Sequence, residues 1–190
     1  SIVFLNTQVD SILIGYYLNP TEVGIFAVAV LLAQTLTLIP SAIQPVIAPV
    51  TATQCGKGNI EGVRKIIFST MKKSFFLTVI ISVVLIIIGQ FIITILFTDA
   101  FVLSYYPLLI LQLGYTIYAP IKSVGSTFGS IGKVHIPFRI SIFIGFLNIV
   151  MNVLLIPLFG IIGAGLATTI SLISSSLIFG LLLNVYTKEF

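Results

Sequence analysis

The sequence predicts an all-α membrane protein, a bundle of six transmembrane helices with an amphipathic helix on its cytoplasmic side. Three observations predict it. The chain has 190 residues but only nine Lys or Arg and five Asp or Glu, and the stretches 23–56, 74–98 and 140–187 carry no charge at all. The charged fraction is 7% and the mean hydropathy +1.22, whereas a soluble domain is usually about a quarter charged. The basic residues also recur on alternate connections. Crossing the hydrocarbon core takes roughly 20 apolar residues in helical form. Backbone groups there lack water partners, so helices or closed barrels are the choices. Apolar runs this long exclude the alternating pattern of a barrel strand.

The first span covers about 1–18 and ends at Asn19-Pro20. The second, about 23–52, is rich in proline, with Pro40, Pro45 and Pro49. Each removes a backbone donor and presses on the preceding turn, so this helix should kink. Before the third span, Asn59 is a suitable N-cap for a helix over about 60–73. There Ile60, Val63, Ile66, Ile67 and Met71 share one arc, and Arg64, Lys65, Lys72 and Lys73 fall mostly on the other side. That pattern predicts an amphipathic helix on the membrane surface, running into the span. With Lys57 these residues form a basic anchor for lipid, or a contact for an anionic lipid-linked substrate. The third span is about 74–97. The fourth, about 102–131, contains Pro107, Gly114, Pro120, Gly125 and Gly129. The fifth is about 138–157 and the sixth about 162–186, opening with the small residues Gly163-Ala164-Gly165 that let helices approach closely.

The connections support this count. Lys57, Arg64, Lys65, Lys72 and Lys73 lie between spans two and three, Lys133 and Arg139 between four and five, and Lys188 after six. The other connections carry only Glu22, only Asp99, or nothing. Positive residues stay inside, so both termini, the 53–73 segment and the 132–139 loop are placed in the cytoplasm. Scattered over membrane edges, the basic residues form no nucleic-acid patch. The chain starts without methionine and without a secretory signal, and reads as a piece of something longer.

Two charges lie within spans. Asp10 is about nine residues, roughly 14 Å, from the outer end of span one, and Lys122 is at similar depth from the inner end of span four. Asn6, Thr7, Asp10, Ser11 and Tyr17 share one face of span one, and Gln112, Tyr115, Tyr118, Lys122 and Ser126 one face of span four. Intramembrane polarity marks transport pathways, so both stripes predict a hydrated cavity. Lys122, Gln112, Tyr115, Tyr118 and Asn6 are candidate substrate contacts, and Asp10 a candidate ion-coupling site. Equally, Asp10 and Lys122 could pair with each other, or with helices outside this sequence, and merely fix packing. Asn148 and Asn152, one turn apart on span five, read first as interhelical bonds.

Chemistry beyond transport finds little material. One cysteine, Cys55, and one histidine, His135, allow no disulfide within the chain and no cysteine metal cluster. The acidic residues are dispersed, and there is no phosphate loop or nucleophile elbow. Neither catalysis nor a metal or other cofactor is expected.

Four strings carry a resemblance. They are VDSILIGYYLNPTEVGIFAVA (9–29), AIQPVIAPVTATQCGKGNIEGVRKI (42–66), IGQFIITILFTDAFVLSYYPLLIL (88–111) and LNIVMNVLLIPLFGIIGAGLATTIS (147–171). In this order they resemble the second half of the polysaccharide flippases, a branch of the multidrug/oligosaccharidyl-lipid/polysaccharide exporter superfamily. The sequence departs at Gly165, where the family has Ala, and at Thr98, where it has Gly. The resemblance implies one six-helix bundle of a two-bundle, alternating-access transporter of the cell membrane, with an N-terminal bundle as its partner. It implies lipid-linked oligosaccharide as cargo, with Lys122 holding an anionic head group. A cation-coupled multidrug antiporter would instead use Asp10 and be hindered by Lys122. A membrane scaffold or membrane-embedded enzyme subunit is the alternative of another class; an enzyme predicts more ionisable residues within spans than these.

Overall fold

The computed structural model describes residues 2–130 and 132–186, with side chains from Gln8 onward; Lys188 and Glu189 lie outside the described residues. Every regular element among them is helical. The chain runs through α1 (Ile2–Tyr17), α2 (Pro20–Gln34), α3 (Leu38–Gly56), α4 (Ile60–Phe97), α5 (Tyr105–Ser123), α6 (Thr127–Ser130), α7 (His135–Phe159) and α8 (Ile161–Tyr186). Five rods are long and apolar enough to cross a membrane: Pro20–Gly56, Ile60–Phe97, Asp99–Ser130, His135–Phe159 and Ile161–Tyr186. α1 has 16 described residues.

Local chemistry sets the boundaries. Asn19 caps α2, its side-chain oxygen accepting the Glu22 N–H at 3.0 Å, with Pro20 at the first helical position. Asn59 caps α4 in the same way through the Gly62 N–H at 2.9 Å. Its amide nitrogen also donates to Gln54 Oε1 at 2.9 Å, tying the start of α4 to α3. α7 ends at Gly160, whose φ of +61° favours glycine. A Cβ at Gly163 would collide with the Leu155 carbonyl, so the α7–α8 corner closes only around glycine.

The second rod is broken. A 3-10 turn at Thr35–Thr37 separates α2 from α3. Pro40 lies four residues beyond Leu36, where its ring presses on the Leu36 carbonyl and its missing N–H leaves the α ladder open. α2 buries six residues, from Ile25 to Ala33, and α3 only Pro40 and Thr51.

α4 is unbroken over 38 residues, about 57 Å at 1.5 Å per residue. The amphipathic stretch at its start is continuous with the span, and Val63 and Ile67 pack against protein, in a cluster with Ile121, Phe128 and Ile136. Arg64, Lys65, Lys72 and Lys73 stay exposed. Further along, α4 turns Thr70, Ser74, Thr78 and Ser82 inward and Phe76, Ile80, Ile87 and Phe91 outward. Small hydroxyl residues at the helix seam and large apolar ones outside are what lipid as solvent selects.

Two apolar clusters hold the bundle. One gathers Ile14, Phe26, Leu36, Ile93, Leu108, Leu111 and Ile156. The other, at the basic end near the start of α4, gathers Val63, Val124, Phe128, Ile140, Phe179 and Leu183. α8 packs chiefly on α5 and α7, α4 on α5, and α1 on α7. At Gly114 a Cβ would lie 2.9 Å from the Thr169 Cα, so α5 and α8 nearly touch backbone to backbone. The Thr169 hydroxyl donates to the Ile110 carbonyl at 2.9 Å beside this crossing.

Candidate functional site

On α5, α7 and α8 the positions between the two apolar clusters line a cavity of about 380 Å³. α1 contributes Asp10, α2 and the 3-10 turn contribute Gln34 and Thr37, and α5 contributes Tyr115, Tyr118 and Lys122. α7 adds Ser141 and Asn148, and α8 adds Thr168, Ser171 and Ser175. The tyrosines and Lys122 fall at i, i+3 and i+7, within one narrow arc of α5.

Asp10 is 5% exposed. Asn152 donates from Nδ2 to Oδ1 of Asp10 at 2.7 Å, and the Thr168 hydroxyl donates to Oδ2 at 2.6 Å. Asn152 Nδ2 also donates to the Asn148 carbonyl at 2.9 Å, and Asn148 Nδ2 reaches the Thr168 hydroxyl at 3.4 Å. Three helices thus converge on one carboxylate. Each oxygen has a short donor, the geometry that keeps a buried charge tolerable. Asn152 is fully buried and its Oδ1 has no hydrogen-bond partner. The cluster therefore presents unused oxygen lone pairs beside a carboxylate.

Lys122 is handled differently. It lines the same cavity, is partly exposed, and among the described residues makes no hydrogen bond or ion pair. Asp10 and Lys122 line the same chamber without an ion pair to each other.

The other predicted contacts separate. Gln112 is 1% exposed and faces α4, where its Oε1 accepts the Ser82 hydroxyl at 2.9 Å and its Nε2 has no partner. It lies about 60° around the helix from Tyr115 and about 120° from Tyr118, enough to turn it from the cavity. The side chain of Asn6 lies outside the described residues. Lys57, Arg64, Lys65, Lys72 and Lys73 are exposed at the basic end, with the Arg64 guanidinium 5.6 Å above the Phe68 ring.

Sequence reasoning did not pick out Gln34 or Thr37 for the cavity, and it set Thr168, Asn148 and Asn152 first among packing residues and second among substrate contacts. The available signal was an amide pair one turn apart in an apolar helix, and polar residues just before the Pro40 break. Among the described residues no group of three or more His, Cys, Asp or Glu could hold a metal ion.

The comparisons with known proteins agree with this architecture. The chain is 23% identical over 168 residues to the probable low-salt glycan biosynthesis flippase Agl15 of Haloferax volcanii, an alignment covering 88% of this chain and 36% of that protein. The chain thus spans about a third of the length of that curated relative. No solved structure matches it. The family model described as lipid II flippase MurJ matches residues 1–188. An all-helical bundle, five of whose rods are long and apolar enough to cross a membrane, is matched over nearly its whole length by that model, and the chain belongs to the lipid II flippase MurJ family.

Proposed function

We propose that this chain is the C-terminal six-helix bundle of a cell-membrane transporter that flips lipid-linked oligosaccharide units by alternating access. The single observation that carries this reading is the cavity between the two apolar clusters, which holds a partnered carboxylate and an ammonium with no partner among the described residues. Hydrocarbon disfavours ionisable groups unless transport or pairing requires them. The family match and the flippase named as a relative support the same class of cargo.

In this reading Lys122 holds the anionic head group, and Tyr115 and Tyr118 present ring faces and hydroxyls to the adjoining sugar. Gln112 supports α5 from the α4 side, and Asn6 is a further contact from α1. Asp10 is the ion-coupling group. Asn152 Oδ1, buried and unpaired, offers a neutral oxygen next to the carboxylate, a donor set suited to a small hard cation. α1 is the sixth span, and positive residues remaining inside put the basic end and both termini in the cytoplasm. The broken second rod supplies a place for α3 to move while α2 stays anchored. An N-terminal bundle completes the cavity.

The test is Lys122→Ala in the complete transporter, in cells that depend on it. Surface polysaccharide should disappear while the protein accumulates in the membrane at its usual level. Unchanged polysaccharide would remove Lys122 from the site. Asp10→Asn should abolish dependence of transport on the coupling ion, and full retention would make Asp10 structural.

A further inference from the structure

A second hollow opens at the end of the bundle opposite the basic one. α4 and α7 both start at the basic end, so the tail of α4, the α7–α8 corner and the α1–α2 corner stand together at the other. The hollow holds about 300 Å³, the small end of the roughly 300–1,000 Å³ range of ligand pockets. Its wall is mostly apolar. Leu18 comes from the α1–α2 corner, Leu103 from the 3-10 segment Asp99–Ser104, and Phe159 and Ile162 from the α7–α8 corner. Tyr106 also lines it, and Glu22 is the one charged residue that does.

Three features say what covers it. Leu103 and Phe159 line the hollow yet are 56% and 54% exposed, so it runs out into the large apolar side chains that this bundle turns toward lipid. It lies where the helices end, and the exposed Tyr106 is the kind of amphipathic ring that sits at head-group level. Glu22 is partly buried, and its carboxylate has no hydrogen bond or ion pair among the described residues. The other charge at this end among the described residues is Asp99, also acidic, so nothing there neutralises Glu22. A carboxylate at the edge of an apolar wall is matched by a cationic N–H donor carried on an apolar body.

We infer that this hollow binds an aminophospholipid of the leaflet opposite the basic end, with the ethanolamine ammonium on Glu22 and part of one acyl chain along Leu103 and Phe159. Three N–H donors on a compact ammonium can pair with the carboxylate directly. A choline head group brings the same charge behind methyl groups and no N–H, and a glycerol head group brings no positive charge at all. Seated there, the lipid touches the α1–α2 corner, the α7–α8 corner and the start of α5 at once. The inference needs the chain to span a bilayer and is independent of the cargo.

The experiment uses the complete transporter, stripped of lipid in detergent and titrated with dioleoyl phosphatidylethanolamine, phosphatidylcholine or phosphatidylglycerol, with bound lipid counted by native mass spectrometry. The natural protein should bind the ethanolamine lipid about tenfold more tightly than the choline lipid, the worth of one charge-assisted hydrogen bond near the surface. Glu22→Gln should remove that preference. The Asn19 cap uses the backbone N–H of residue 22, so this variant keeps the local fold. Leu103→Trp, which fills the hollow, should weaken the ethanolamine and choline lipids alike. Equal affinity for the two lipids in the natural protein, or a preference that survives Glu22→Gln, overturns the inference. A benzophenone side chain in place of Phe159, irradiated in vesicles of equal ethanolamine and choline lipid, should add the mass of one ethanolamine lipid. Cross-linking to protein instead would show that another polypeptide covers the hollow, and would overturn the inference as well.

Discussion

Asp10 is 5% exposed and receives hydrogen bonds from α7 and α8, whereas Lys122, on α5, faces the same cavity with no partner among the described residues. The carboxylate is short and two helices have been shaped around it. The ammonium sits on a four-carbon stem that can reach for partners. A charge fixed by neighbours is one whose position the fold specifies, and its loss is felt as instability. A charge left unpaired is held for something that arrives later, and its loss is felt in function.

That contrast can be broken by unequal substitutions. Asn152→Leu strips Asp10 of its donor to Oδ1 and leaves a buried carboxylate half-satisfied, so stability should fall by about 3 kcal/mol. Equilibrium unfolding of the complete transporter in mixed micelles would measure it, and a loss under about 1 kcal/mol would mean the clamp is incidental. Gly114→Ala tests the crossing that brings the Lys122 helix against the Thr168 helix. A methyl 2.9 Å from a backbone carbon cannot be relieved by turning a side chain, and about 2 kcal/mol should be lost. Thr168→Val keeps the shape but removes the hydroxyl that donates to Oδ2, for a loss of about 1.5 kcal/mol by the same unfolding assay. Lys122→Met follows the aliphatic stem and leaves no partner stranded, so stability should stay within about 0.5 kcal/mol. A large loss there would show that the fold holds Lys122 as firmly as it holds Asp10.

Much of the architecture was legible because lipid imposes a blunt rule. Charge-free runs marked the spans, and Asn19-Pro20 and Asn59 marked ends where the structure has them. Tyr115, Tyr118 and Lys122 were legible as one stripe because their spacing is local to one helix. Gln112 was assigned to that stripe, but it stands at the edge of the arc and the deciding neighbour, Ser82, comes from another rod. The clamp on Asp10 was not legible. Its bonds to Asn152 and Thr168 join residues 142 and 158 positions apart, and periodicity carries no record of which distant helices meet. The break at Thr35–Thr37 was half legible: the prolines announced a kink, but the 3-10 turn falls just before Pro40, where that ring strains the preceding backbone.

The uninterrupted α4 rod has a mechanical corollary. Its 38 residues extend about 57 Å, while the hydrocarbon layer is about 30 Å thick, so nearly half of the rod stands clear of the acyl chains. Rigid rods amplify angle into travel: pivoting by about 10° at Phe97 sweeps Ile60 through about 10 Å. Asn59, bonded to Gln54, ties that end of the rod to the tail of α3, so a slight lean at the Phe97 end would become a large stroke where α3 and α4 meet.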